Sequence, residues 1–429
     1  MMTDLKSKTA MVVTHPLFAS QAERLARDFG KVYLVIPWQS HSFPTVNAGR
    51  VGEGLAGVTK LDSIWGPELE EVDIVIFPDI YFPNEQIRLE KMGKLVWGGR
   101  NGEEIELYRD TCKEVMESVG LPTQPWKPIK GMTALREHLK AHDNQHVKIS
   151  KWRGSFETFK SETYELSETK LDELSLKLGC FKEDVELIVE DDLPDCVEIG
   201  TDLFSVDGQL PSQTIVGIEV KDLGYAGEFM AWDSIPEPIR RWNESMAPIF
   251  AQYGYRGWLS NEIRIGEDHI PYCIDPTCRS PCPPGELLQE FYTNYSEIIW
   301  NGAQGILVDP IPAAKYGVQM VFKSGFAEKH CLPIDFDPQY ANQIKLFNPA
   351  VIDGKHYTIA QDEEMSECGA VLGWGNTLDE AMAHCQKAAD TIKGYGIKMP
   401  SGSIEEAKKQ MEEINESGLK VFSLDKSEK

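Results

Sequence analysis

The chain has 429 residues, 41% of them hydrophobic, enough for about two to four domains with several cores. Its formal charge of −25 argues against a nucleic-acid backbone or an anionic membrane as partner, since either needs a basic patch. There is no run of about 18 apolar residues and no signal-peptide pattern, and the nine scattered cysteines fit reduced thiols better than a disulfide framework, so a soluble, cytoplasmic protein is expected.

In the first hundred residues short apolar runs at 9–14 (TAMVVT), 32–36 (VYLVI) and 72–77 (VDIVIF) alternate with helical spacing at 19–29 and 84–92. This pattern predicts an α/β domain with a mostly parallel sheet over 1–102. THPL follows the first strand where a GxGxxG would open a dinucleotide site, so such a cofactor is not expected. His15 in that segment is either a structural turn residue before proline or part of a substrate pocket. A helix is predicted over 103–119, with Gly120 at its C-terminal cap and Pro122 beyond.

From 147 to 265 the reading changes to α+β: strands at HVKIS, VELIVE and 198–206, one helix at 236–253, and long loops. Residues 257–279, GWLSNEIRIGEDHIPYCIDPTCR, read as a β-hairpin turning at Gly266-Glu267-Asp268-His269. Pairing Ile265 with Ile270 puts Glu262 opposite Cys273, with Arg264, Glu262, Asp275 and Thr277 on one face and the two carboxylates as diagonal neighbours. Carboxylates that close repel unless a cation lies between them, and hard oxygen ligands suit Mg²⁺ bridged to nucleotide phosphates. The alternative is an exposed strand pair with ordinary surface charges. Cys273, Cys278 and Cys282 match no zinc spacing.

Beyond Pro310, short strands are predicted at 317–323, 345–347, 356–359 and 370–373. A helix opened by a Thr377–Glu380 capping box follows, stopped near Gly394. Ser403-x-x-Glu406 opens a last charged helix ending at Gly418, read as an appendage. The expected domains are thus 1–102, 103–309 with a lid over about 124–190, a small α+β domain at 310–399, and a helical tail at 400–429.

Five segments stand in a telling order: RDTCKEVMESVGLPTQPW (109–126), HVKISKWRGSFETF (146–159), LIVEDDLPDCVEIGTDLFSVDG (187–208), the hairpin, and GAVLGWGNTLDEAM (369–382). Together they make nearly the whole chain resemble the ATP-grasp superfamily, and within it most closely the phosphoribosylamine-glycine ligases. The resemblance implies ATP and Mg²⁺ as cofactors. It implies Lys113 and Lys148 on the phosphates, and a loop from Lys151 with Gly154 and Ser155 closing over them. It implies a hinge of Glu190, Asp191, Asp192 and Leu193 reading adenine, and Glu198 on the ribose hydroxyls. Glu262, Asp275 and Thr277 become metal ligands, while Arg264, Arg279 and Lys221 face the carboxylate and the transferred phosphoryl group.

The departures matter as well. Family members offer Glu-x-Asn-x-Arg where this chain has Asp275-Pro276-Thr277-Cys278-Arg279. Their glycine-rich loop after the first strand is replaced by VVTHPLFASQ, and their GGMG segment by GIEVKDLGYAGEFMAW. The resemblance therefore implies an ADP-forming ligase that makes an amide through an acyl phosphate, with a rebuilt pocket for small-molecule substrates. A kinase and a non-catalytic nucleotide-binding relative are the alternatives.

Overall fold

The apolar runs of the first hundred residues become parallel strands because both faces of each are covered. In the strand Thr9–Val13, Ala10 and Val12 enter one core while Met11 and Val13 enter another. The computed structural model describes residues 4–37, 48–151, 158–221, 223–266, 269–361, 365–400 and 402–424. The sheet has five strands, in the spatial order Val58–Leu61, Lys31–Val35, Thr9–Val13, Ile74–Ile76, Leu95–Trp97. Chain order reverses between Thr9–Val13 and Ile74–Ile76, which pair directly.

A four-stranded antiparallel sheet follows, in the order Trp126–Lys130, Glu186–Asp191, Gln145–Ile149, Thr158–Ser161. Helices Met132–Leu139 and Tyr164–Leu178 pack on it and share a separate small core, including Leu135, Leu139, Leu171 and Leu174. Neither helix was expected. In the second the apolar stripe is narrow, and Leu166 and Leu176 are exposed, which blurs the period.

The largest sheet has eight strands: Pro271–Thr277, Arg256–Ile265, Val197–Val206, Gln213–Val220, Gly224–Ala231, Tyr316–Lys323, Glu367–Gly375, Ile344–Leu346. On one face it packs the helix Glu237–Gln252 through Ile239, Trp242, Met246 and Phe250. Helices Gly285–Phe291 and Tyr295–Ala303 cover the other. The strands after 310 extend this same sheet, and Leu332–Ile334, Lys355–Thr358 and Pro349–Ile352 form a small sheet of their own.

The last helix, Ser403–Glu416, is not an appendage. Ile404, Ala407, Met411 and Ile414 are all at most 5% exposed and join the main core against the strands Gln213–Val220 and Gly224–Ala231. Beyond it, the N–H of Phe422 donates to Asn415 Oδ1 at 2.9 Å and that of Ser423 to Glu228 Oε2 at 2.7 Å.

Candidate active site

The hairpin forms with a different register from the one expected. Ile265 pairs with Pro271 and Ile263 with Cys273, so the turn is one residue longer. That shift alone would bring Ile274 opposite Glu262, but a bulge at Ile274 takes up one more residue and restores the parity. Glu262 therefore lies directly opposite Asp275, and Ser260 opposite Thr277. Of the face expected from the sequence, Arg264, Glu262, Asp275 and Thr277 stay together, whereas Cys273, expected opposite Glu262, pairs with Ile263 and is buried on the other face with Asn261 and Ile265. Glu267 and Asp268 of the turn lie outside the described residues.

Lys148 Nζ donates to the Ile274 carbonyl at this bulge, tying the four-stranded sheet to the hairpin. The same ammonium lies 3.0 Å from Glu190 Oε2, and Lys113 Nζ lies 2.6 Å from Glu190 Oε1. Lys113 also donates to Gln124 Oε1 at 3.0 Å. All three charged side chains are nearly inaccessible. Burial pushes the Glu190 carboxyl up, but Lys148 and Lys113 outweigh it and hold it at about 2. For Lys148, burial lowers the pKa, while Glu190 and then Asp275 raise it further, leaving a net upward shift.

Arg109 was not foreseen. It stands one helical turn before Lys113, on the same face of the helix Arg109–Ser118, and its Nη1 lies 2.6 Å from Asp275 Oδ1. Burial raises the Asp275 carboxyl, but Arg109 and Lys148 bring it below the ordinary value. Glu262 goes the other way: desolvation, then the charges of Glu219, Asp275 and Glu198, push it well above the usual range.

Arg279 leads from the hairpin to the N-terminal sheet. Its Nε lies 2.8 Å from Glu106 Oε1 and 4.0 Å from Asp79 Oδ1. Asp79 meets His15 Nδ1 at 2.7 Å and accepts from the N–H of Ile80 at 2.9 Å. The sequence does not mark Glu106 or Asp79, since Arg279 and His15 meet them only through contacts across the fold.

The other expected residues are spread around this cluster. Arg264 pairs with Glu198 at 2.9 Å and approaches Asp192 to 3.8 Å. Asp192 also meets His146 at 2.8 Å and Lys160 at 2.5 Å. The N–H groups of Asp191 and Asp192 are engaged by the carbonyls of Pro125 and Asn144, at 3.0 and 3.1 Å. Of the hinge segment after the strand, this leaves the Leu193 N–H with no described hydrogen bond. Lys151 is exposed, with its Nζ 3.3 Å from Glu186. Gly154 and Ser155 lie outside the described residues. Lys221 is exposed in a turn, and among the described residues no contact joins it to the cluster. A surface hollow of about 270 Å³ lined by Glu90, Arg100, Asp207 and Arg256 contains none of these groups.

No protein-family model and no curated protein sequence matches the chain. Solved structures do. The phosphoribosylamine-glycine ligase of Thermotoga maritima superposes with a TM-score of 0.69 at 15% identity, covering 91% of this chain and 98% of that one. The biotin carboxylase domain of Hydrogenobacter thermophilus 2-oxoglutarate carboxylase, in complex with MgADP, ADP and bicarbonate, gives 0.66 at 13% identity, covering 96% and 98%. An N5-carboxyaminoimidazole ribonucleotide synthetase in its ADP complex gives 0.59 at 16%, covering 91% and 98%. All are ATP-grasp enzymes. This chain has the ATP-grasp fold.

Within the ATP-grasp fold, the donor set fits Mg²⁺ held jointly with phosphates. Among the described residues no group of three or more His, Cys, Asp or Glu could hold a metal ion by protein ligands alone. Mg²⁺ in nucleotide sites takes one or two carboxylates and fills its shell with phosphate oxygens and water. Glu262 is half-buried, has no described hydrogen-bond donor, and is crowded by like charges, which is the condition a cation relieves. None of the nine cysteines is in a disulfide; Cys273 and Cys278 are buried, and burial raises their thiols well above the ordinary pKa.

Proposed function

We propose that this protein is an ATP-dependent ligase that phosphorylates a small carboxylate and lets an amine displace phosphate from the acyl phosphate, giving an amide, ADP and phosphate. The observation that carries the reading is the contact of Lys148 with the Ile274 carbonyl of the hairpin that carries Glu262 and Asp275, with Lys113 joined to Lys148 through Glu190. Two ammonium groups sharing one carboxylate beside a pair of facing carboxylates suit a triphosphate with its Mg²⁺. The fold supports the same reading, as its matches include a glycine ligase and structures holding ADP.

In this proposal Lys113 and Lys148 turn from Glu190 toward the α- and β-phosphates. Leu193 meets the adenine edge, Glu198 the ribose, and the unit within 124–190, with Lys151, Gly154 and Ser155, closes over them. Glu262, Asp275 and Thr277 hold Mg²⁺, which when bound neutralises phosphate charge. Arg279 and Arg264 steady the carboxylate and the transferred phosphoryl group; Lys221 joins them only if its turn moves inward. Positioning and charge neutralisation are the work required, since phosphoryl transfer asks little covalent chemistry of side chains. Nine cysteines with no disulfide among them support a reducing compartment such as the cytoplasm, and among the described residues no helix is long and apolar enough to cross a membrane.

The test is ADP release with Mg²⁺ and ATP against pools of small carboxylates and amino acids, with hydroxylamine present. A hydroxamate in the presence of one carboxylate is the expected result. A stable phosphorylated product that accumulates without any amine would replace the ligase with a kinase.

A further inference from the structure

In open parallel sheets ligands settle outside the carboxyl ends of the strands, in the crevice where chain order reverses. Here that crevice lies between Thr9–Val13 and Ile74–Ile76, and each strand leads a side chain into it: His15 from the first, Asp79 from the second. Resting on the ligase reading, we propose that His15, oriented by Asp79, is the base that deprotonates the arriving ammonium so that it can attack as an amine.

The geometry fixes the roles. His15 Nδ1 lies 2.7 Å from Asp79 Oδ2, and the Asp79 side chain is fully buried. A carboxylate in that position holds Nδ1 as the donor, which leaves the lone pair on Nε2. Asp79 would also steady the imidazolium once formed, as the acid of a Ser-His-Asp triad does. Tyr81 and Phe82 flank the ring at 5.6 and 5.5 Å between centroids, and the His15 side chain keeps 20% of its surface open.

The charges around the crevice favour a cationic amine substrate. Asp79 and Glu106 face it with Arg279 between them. Behind them Glu103 is buried, accepting from the N–H groups of Tyr81 and Phe82, and burial raises its carboxyl to about 8, so it adds little charge at neutral pH. The two carboxylates outnumber the one guanidinium, so an arriving ammonium is attracted. Arg279, our group for the transferred phosphoryl, stands 4.0 Å from Asp79 and so sets the dyad beside the acyl phosphate.

In the step, the arriving ammonium gives one proton to His15 Nε2, which frees the nitrogen lone pair. That lone pair forms the C–N bond while the C–O bond to phosphate breaks with its electron pair leaving on phosphate, and the nitrogen's second proton goes to the departing phosphate. The imidazolium then returns its proton to water.

Hydroxylamine is largely unprotonated at neutral pH and needs no such base, which separates the dyad from the rest of the machinery. With ATP, Mg²⁺ and each of a panel of small carboxylates, hydroxamate formation is compared with amide formation from ammonium, methylamine, ethanolamine and glycine. His15→Asn should lower amide formation about 100-fold or more while hydroxamate formation falls only severalfold. Asp79→Asn should show the same split to a smaller degree; if its buried site prevents folding, His15→Asn alone decides. Equal losses of hydroxamate and amide in His15→Asn, or no loss of amide, overturn the dyad and leave the ligase reading standing. Hydroxamate from the wild type with no amide from any amine of the panel overturns the ammonium site. No hydroxamate from the wild type with any carboxylate overturns the ligase reading itself, and the dyad with it.

Discussion

Lys113 and Glu190 lie 2.6 Å apart with neither side chain more than 4% exposed, and Lys148 reaches the second oxygen of the same carboxylate at 3.0 Å. One buried anion thus holds two buried cations. Glu190→Gln should destabilise the nucleotide-free protein by roughly 3 kcal/mol, because it leaves both ammonium groups without a counter-charge. The Glu190 carboxyl is held at about 2 against an ordinary value of 4.5. Its contribution is therefore present above the unfolded pKa and lost as pH falls through the folded one. Urea unfolding at pH 7 and at about pH 3.5 should show the gap between wild type and variant shrinking by about 1 kcal/mol at the lower pH. An unchanged gap would mean that the two lysines do not control this carboxyl.

Glu262 and Asp275 should respond differently to neutralisation, although they face each other across the hairpin. Either change, Glu262→Gln or Asp275→Asn, should slow ATP turnover about 100-fold or more through loss of metal-borne charge stabilisation. Glu262 has its carboxyl pushed up, so it costs stability above the unfolded pKa, and Glu262→Gln should raise the melting temperature at pH 7 and not below about pH 4.5. Asp275 has its carboxyl pulled down and pairs with Arg109 at 2.6 Å. Asp275→Asn should cost roughly 1 kcal/mol, a modest figure because the Asp275 side chain is 40% exposed. Near-normal turnover in both variants at saturating Mg²⁺ would remove the metal assignment.

The sequence carried the fold through the order of its motifs, and the hairpin face through the alternation of Arg264, Glu262, Asp275 and Thr277. The register was not legible, because turn length and a bulge at Ile274 each shift pairing by one residue and only their combination returns the carboxylates to one face. Arg109 was within reach of the helical period, four residues from Lys113. Asp79 and Glu106 were not, since sequence separation hides that Arg279 lies near both.

Nucleotide selectivity tests the hinge. If Leu193 supplies the adenine-reading N–H, ATP should bind better than GTP by about 1 to 3 kcal/mol, since guanine would leave groups unpaired. Calorimetric titration with the Mg²⁺ complexes measures this directly. Equal affinities would move the base-reading segment away from 190–193.

The C-terminal helix supplies the last prediction. Met411 is fully buried against the eight-stranded sheet, within the apolar row Ile404, Ala407, Met411, Ile414. Met411→Ala should cost about 2 to 5 kcal/mol, from lost transfer energy and the cavity left behind. Glu412→Ala, one residue on and exposed, should stay within about 0.5 kcal/mol. Deleting residues 403–424 should leave the protein aggregation-prone, because it bares the apolar face of the strands Gln213–Val220 and Gly224–Ala231. Thermal unfolding of the two point variants separates the cases: a Met411→Ala protein as stable as the Glu412→Ala one would return this helix to the status of an appendage.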